Sequence, residues 1–214
     1  MTSWAMVRLE DVSTLQPGFA RRRHSAETVS DGIPLVRPPD IGAHGEINGA
    51  PEWQVAESAA LERYRLEVDD ILCIRTGRPG ATAVVTELQS GWLYSDTLFR
   101  IRARSGIDPR YLAHYLASPS AQQQIAMRAH GTTGIRSITG RDLAGLHLPL
   151  AGPDEQREIV AVMNAVTEKI AVHRQIVETA TELRTAMATR LFAAEADSGS
   201  TSGRAGTAFT EARR

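Results

Sequence analysis

The run Asp70 to Val85, DILCIRTGRPGATAVV, sets Gly77, Pro79 and Gly80 between two apolar segments, and glycine-rich turns of this kind are where many enzymes hold phosphates. A Walker-type loop needs GxxxxGK[ST], whose lysine reaches the terminal phosphates, and a dinucleotide fingerprint needs GxGxxG opening a helix. Here Gly77 and Gly80 enclose only Arg78 and Pro79, and no lysine follows. The stretch predicts a β-hairpin whose tip carries Arg75 and Arg78, guanidinium forks suited to a phosphate backbone. Other reaction classes lack their residues as well. HExxH and GxSxG are absent, the six histidines (24, 44, 114, 130, 147, 173) share no ligand spacing, and Asp69 and Asp70 are neighbours that a strand would turn to opposite faces. Neither a methyl-donor loop nor the Asn/Asp-Pro-Pro-aromatic pattern of amino-methyltransferases is present. Together these absences predict a binding subunit with no catalytic residues, no metal and no cofactor.

The bulk numbers agree with an ordinary soluble protein. The 214 residues are 42% hydrophobic and 23% charged, enough for one domain and an appendage at about 100 to 200 residues per domain. No apolar run approaches the ~20 residues of a membrane span. The single cysteine, Cys73, excludes an internal disulfide and predicts a reducing, cytoplasmic setting. Charge location says more than the net value of -1: eight acids face two arginines between Asp40 and Asp70, but nine arginines face three acids between Ile71 and Arg141. Lys169 is the only lysine, so positive charge is delivered almost wholly as Arg, the better fork for phosphates and guanine edges.

Three regions must position these groups. Residues 1–152 mix short β-rich runs with turns and short helices, 153–192 read as one long helix, and 193–214 as a small, polar, disordered tail. In LFRIRARS, period two puts Phe99, Ile101 and Ala103 on one strand face and Arg100, Arg102 and Arg104 on the other. Three guanidinium groups on one face need solvent or an anion beside them, so that face is either solvated or turned to phosphates. Asp108-Pro109 and Ser118-Pro119 start two short helices, a packing hairpin more often than a DNA-reading pair. Thr139 with Asp142 opens a third helix, and Leu146, Leu148 and Leu150 share a strand face.

The long helix opens at Pro153 with Asp154 and Glu155 in its first turn. Met163, Ile170, Val177 and Leu191 recur in one heptad series, and Ile159, Val166, His173, Ala180 and Met187 form the interleaved one. That is a coiled-coil seam broken by His173 and Arg184, too long for one domain to cover, so part of it needs a partner.

Several segments, in order, resemble the specificity subunit of type I DNA restriction-modification systems. They are Trp4, Val7 and Leu9, then Gly18, GIPLVRPPDI, LEVDDILCIRTGRPGATAVV, SDTLFRIRARSGIDPRYLAHYLASPS and, most specifically, ITGRDLAGLHLPLAGPDEQREIV running into the heptad helix. The match covers about residues 4 to 192, with Ala151 and Gly152 departing from the proline pair that often precedes Glu-Gln. The resemblance implies an α+β target recognition domain that reads half of a split double-stranded DNA site, followed by a coiled-coil-forming helical spacer. The same resemblance implies that this spacer docks adenine-N6 methyltransferase subunits, with a restriction subunit joining the complex in some systems. Family members usually carry two such units, and this sequence carries one. An antiparallel homodimer with two-fold symmetry is the simplest repair.

Base-reading residues vary within the family, so candidates rest on chemistry: the basic cluster Arg21, Arg22, Arg23 and His24 after Gly18; Arg75 and Arg78 at the hairpin tip; Arg100 and Arg102 on the strand; and Thr132, Thr133, Arg136 and Ser137 in a Gly/Thr-rich loop. Glu155, Gln156 and Arg157 are expected at the helix start and subunit-docking surface. The alternatives are a stand-alone dimeric DNA-binding regulator using the 109–130 helices, or a coiled-coil interaction adaptor.

Overall fold

A computed structural model describes residues 4–20, 32–49, 51–131 and 135–199, the stretch 193–199 as backbone. Along the chain run β1 (Ala5–Arg8), α1 (Leu9–Val12), β2 (Ser13–Pro17), β3 (Ile33–Val36), β4 (Gln54–Val55), β5 (Ile71–Ile74), β6 (Thr76–Gly77), β7 (Thr82–Val84), β8 (Leu93–Tyr94) and β9 (Leu98–Ala103). Then follow α2 (Pro109–Ala117), α3 (Pro119–Arg128), β10 (Arg136–Ser137), α4 (Gly140–Ala144), β11 (His147–Leu150) and α5 (Pro153–Gly199). The chain divides into two units, Met1–Met163 and Asn164–Arg214.

The first unit is built on an antiparallel sheet in the order β2-β9-β5-β7. All four residues of β5, Ile-Leu-Cys-Ile, are buried, which is what an uninterrupted apolar strand needs: cover on both faces. On one face Ile71, Cys73, Phe99 and Ile101 pack against Leu112 and Leu116 of α2, Ile125 of α3 and Leu143 of α4. On the other, Leu72, Ile74 and Leu98 meet Val36, Leu66, Ala83 and Tyr94. Each fully buried Leu or Ile contributes about 1.5–3 kcal/mol relative to exposure, so the sheet is the centre of the fold. A smaller cluster of Leu35, Val55, Leu61 and Leu93 lies at the sheet β4-β3-β8.

Local signals produced the expected elements. The 70–85 stretch is a hairpin, β5 pairing with β7 (Ile71 with Val84, Cys73 with Thr82). Asp108 caps α2 by accepting from the Arg110 and Tyr111 N–H groups, and the Ser118 hydroxyl accepts from Ala121 at the start of α3. The two helices bury Leu112, Leu116 and Ile125 in the sheet core, so they form a packing hairpin.

The Arg100 face of β9 departs from expectation. Arg104 is exposed, but Arg100 and Arg102 are only partly so, because they lie on the side of the sheet that carries the second core. The anion this face required comes from the chain itself: Arg102 forks onto Asp70 at 2.7 and 2.8 Å and pairs with Glu67 at 2.7 Å. Asp70 is 1% exposed and also accepts from the Glu67 N–H at 2.8 Å. These bonds raise the Arg102 pKa, the hydrogen bonding to the Asp70 carboxylate first among the causes. Arg100 donates to the Arg65 carbonyl at 3.0 Å and to the Gln16 side chain, with its guanidinium 5.8 Å from the Tyr94 ring centroid.

At the start of α5, the Glu155 carboxylate accepts from the Gly152 N–H at 2.9 Å and from the Trp4 indole at 3.1 Å. Gln156, 2% exposed, donates to the Ala151 carbonyl and accepts from the Asp108 N–H, both at 2.9 Å. Glu155 and Gln156 therefore tie the start of the helix to Trp4 and to the cap of α2, while Arg157 is exposed and pairs with Asp154. Ile159 leaves the seam, packing with Tyr111, Ala151 and Val160. The helix also runs beyond residue 192 to Gly199. Residues 200–214 lie outside the described residues.

Two outcomes follow for stability. Asp70→Ala removes one partner of a pair whose arginine is one-third exposed, and should cost about 3 kcal/mol in urea unfolding, the low end for a broken buried pair. Burial pushes Cys73 from an ordinary 9.0 to about 12 and Tyr94 from 10.0 to about 12. A raised pKa gives stability that is complete below the unfolded value and lost as pH rises toward the folded one. Urea melts at stepped pH should show stability constant up to about pH 9 and then falling toward 12, with a shallower fall in Cys73→Ala.

Candidate nucleic-acid interface

The register of the central sheet decides which loops meet. Pro17 pairs with Phe99, Ile74 with Leu98 and Cys73 with Thr82. The end of β2, the end of β5 and the starts of β7 and β9 therefore lie along one rim. Four connections gather there: the exit of β2 through Gly18, Phe19 and Ala20; the Ser95–Leu98 turn; the hairpin tip from Arg75 to Ala81; and β10, which pairs with β6 (Arg136 with Gly77, Ser137 with Thr76).

Backbone bonds hold the rim together. Arg75 N–H donates to the Thr97 carbonyl at 2.9 Å, and Ile138 N–H donates to the Arg75 carbonyl at 2.9 Å. With its backbone clamped from both sides, Arg75 keeps an exposed side chain, its guanidinium 5.6 Å from the Phe99 ring centroid. Gly77 and Gly80 turn the tip through φ of +96° and +95°, and a Cβ on Gly80 would lie 2.9 Å from Ile125, so glycine lets the tip lie on α3. Arg78 is exposed and donates to the Ile41 carbonyl at 3.0 Å, which ties the tip to the chain after β3. The exit of β2 passes so close that a Cβ on Gly18 would sit 2.2 Å from the Ser95 carbonyl oxygen.

Arg136 is exposed, and its guanidinium also donates to the Ala126 carbonyl at 2.5 Å, closing the C-terminal end of α3. Ser137 and His130 exchange backbone hydrogen bonds at 2.7 and 2.8 Å, closing the loop between them. Just beyond, the Thr139 hydroxyl bonds the Asp142 carboxylate at 2.5 Å and lowers its pKa. His130 lies 3.6 Å from the same carboxylate.

The structure thus brings Arg75, Arg78, Arg136 and Ser137 onto one rim, whereas Arg100 and Arg102 are half-buried along β9 and bonded to Gln16, Arg65 and Asp70. Arg21, Arg22, Arg23 and His24, and Thr132 and Thr133, lie outside the described residues. Sequence reasoning missed the Ser95-Asp96-Thr97 turn and His130. The turn carried a signal in retrospect, three small polar residues between two apolar runs.

Charge segregates accordingly. Arg65 pairs with Glu57 and Glu62, Arg37 with Asp40 and Glu52, and Arg102 with Glu67 and Asp70, so much of the acidic stretch from 40 to 70 is neutralised within the chain. Among the described residues, Arg75, Arg78 and Arg136 form no ion pair with a carboxylate. No cluster of His, Cys, Asp or Glu among those residues could hold a metal ion, and no helix there is long and apolar enough to cross a membrane.

From the end of the first unit into the second, α5 leaves Met163, Val166, Ile170, Val177, Met187 and Leu191 between 40% and 65% exposed. Val162, Ile176 and Leu183, at the neighbouring heptad position, are 59–64% exposed and widen the stripe to three positions in seven. Lys169, Ile170, His173, Arg174, Val177 and Glu178 line a shallow apolar depression on it.

Comparison with known proteins gives this arrangement a family. The chain is 30% identical over 135 residues to the type I restriction enzyme EcoKI specificity subunit of Escherichia coli K12, spanning 60% of this chain and 29% of that one. Its fold is similar to a chain solved in work on complex assembly and conformational transition of the type I R-M system (TM-score 0.65, 22% identity, 86% of this chain and 43% of the other). It is also similar to the type I restriction-modification S subunit of M. genitalium (TM-score 0.62, 17% identity, 89% and 46%). The chain thus spans less than half the length of these relatives. The model of the type I restriction modification DNA specificity domain matches residues 1–182, and the chain belongs to that family.

Proposed function

We propose that the rim formed by the β5–β7 tip, the Ser95–Leu98 turn and β10 reads one half of an interrupted double-stranded DNA site. The carrying observation is that Arg75, Arg78 and Arg136, distant in sequence, are gathered at one end of a rigid sheet without carboxylate partners among the described residues. Guanidinium forks on a fixed scaffold supply phosphate charge and bidentate contact to guanine. Arg21, Arg22, Arg23 and His24, and Thr132 and Thr133, remain in the proposed contact set because the described residues next to them in sequence, Ala20, Gly131 and Ile135, adjoin this rim. Arg100 and Arg102 leave it, their guanidinium groups being engaged by Gln16, the Arg65 carbonyl, Glu67 and Asp70. Residues 1–152 then act as the recognition domain and 153–192 as the spacer.

The exposed stripe on α5 supports a second part of the reading. A helix that leaves a face of Met, Val, Ile and Leu in water is stabilised by burying it, and two copies paired antiparallel would present two rims related by two-fold symmetry, matching a palindromic interrupted site. The width of the stripe leaves apolar surface for the adenine-N6 methyltransferase subunits that such a complex positions, and for a restriction subunit where one is present. In this reading the chain itself catalyses nothing and serves in the cytoplasm, in defence against foreign DNA. The regulator alternative loses ground, since the helices it needs at 109–130 spend their apolar faces on the sheet.

Two measurements test this. Replacing Arg75 and Arg78 together with Ala should weaken duplex binding by the full chain and reduce the salt dependence of log K by about two phosphate contacts; unchanged affinity and slope would refute the rim. Ile170→Glu with Val177→Glu should convert a dimer to monomers in sedimentation while the thermal transition of the sheet domain stays in place. An unaltered dimer would refute the helix pairing.

A further inference from the structure

We infer that Asp96 is a base-reading residue that accepts a hydrogen bond from the exocyclic amino group of a cytosine. The inference rests on the reading of the rim as a DNA surface and names the chemistry that one position adds to it.

Asp96 is exposed at the first central position of the Ser95–Leu98 turn, closed by Leu98 N–H to the Ser95 carbonyl at 2.9 Å. The turn is fixed from several sides. Asp96 N–H donates to the Phe19 carbonyl at 3.1 Å, the Ser95 and Thr97 hydroxyls bond each other at 2.6 Å, and the Thr97 carbonyl accepts from Arg75. Among the described residues the Asp96 carboxylate makes no hydrogen bond and no ion pair. Next in sequence to Thr97, whose carbonyl takes the Arg75 N–H, it stands as an unneutralised negative charge on a rim otherwise furnished with arginine.

A surface that only gripped phosphates would be weakened by such a group, since a carboxylate has no proton to donate and is repelled by the backbone. What it can meet favourably in the major groove is an amino donor. Adenine sets its N6 donor beside the N7 acceptor, which repels the second carboxylate oxygen, whereas the cytosine N4 donor has a C–H at its side on the same base. Arginines beside it hold the phosphates and bring the carboxylate to the base edge.

The test is parallel selection of a randomised duplex library by the full chain, wild type, Asp96→Asn and Asp96→Ala, with thermal melts confirming that the exposed substitutions leave the fold intact. The expected result is a wild-type motif in which one C·G position loses its preference by about tenfold or more in both variants while the other positions persist. If both variants recover the same motif and retain every duplex more tightly, Asp96 is a bystander charge and the inference fails while the rim reading stands. If the wild type enriches no motif, the rim reading itself fails and takes the inference with it.

Discussion

The pairing of β9 with β2 on one side and β5 on the other is the constraint on which the rest of the molecule depends. That register is pinned at one end by the Arg102–Asp70 pair, where a 1% exposed carboxylate is satisfied by a guanidinium fork and a backbone N–H. A slip of one residue would turn Leu72, Ile74 and Leu98 out of one core and Ile71, Cys73 and Phe99 out of the other. It would also strand Asp70 without its partner. The same register aligns the opposite ends of the strands, so the interaction that stabilises the sheet also decides that the arginine-bearing tip, the Ser95–Leu98 turn and β10 lie together. Fold and candidate site are set by one alignment.

The arginines divide into two populations by this geometry. Those beside the acidic stretch, Arg37, Arg65 and Arg102, hold loops to the sheet through ion pairs, and their charge is spent within the chain. Those at the rim are held through their backbones and leave their guanidinium groups outward or bonded only to carbonyls. A net charge near zero is therefore compatible with a locally positive face, because the acids that balance the sum lie elsewhere. A side chain placed by a clamped backbone is pre-organised for a ligand, which lowers the ordering cost of contact.

The helix obeys a different logic. Its first turns belong to the domain, through Gln156, Ile159 and Val160, and from Met163 onward its apolar residues face solvent along a stripe three heptad positions wide. Thr181, Thr185 and Thr189 each donate their hydroxyl to the carbonyl four residues earlier, satisfying polar groups internally, so its unmet demand is for apolar cover.

What the sequence determined by itself were the features written in local chemistry. Gly77, Pro79 and Gly80 specify a hairpin turn because few other residues adopt its dihedrals; Asp108-Pro109 and Ser118-Pro119 specify helix starts through caps; and the heptad spacing after Pro153 specifies a long amphipathic helix. The ordered segments around them were specific enough to indicate the family. What only the tertiary structure decided were the partners of long-range groups. Period two could place Arg100 and Arg102 on a common face, but that both are half-buried there, and that Asp70, 32 residues from Arg102, supplies the anion, follows from strand pairing that no local pattern encodes. Ile159 fits the heptad as well as Val166 does, and its removal from the seam depends on Tyr111 and Ala151 arriving from elsewhere in the chain. The meeting of Arg75 with Arg136, through a two-residue ladder between segments 60 residues apart in sequence, is of the same kind: residue type and spacing name the groups, and only the register of the sheet brings them together.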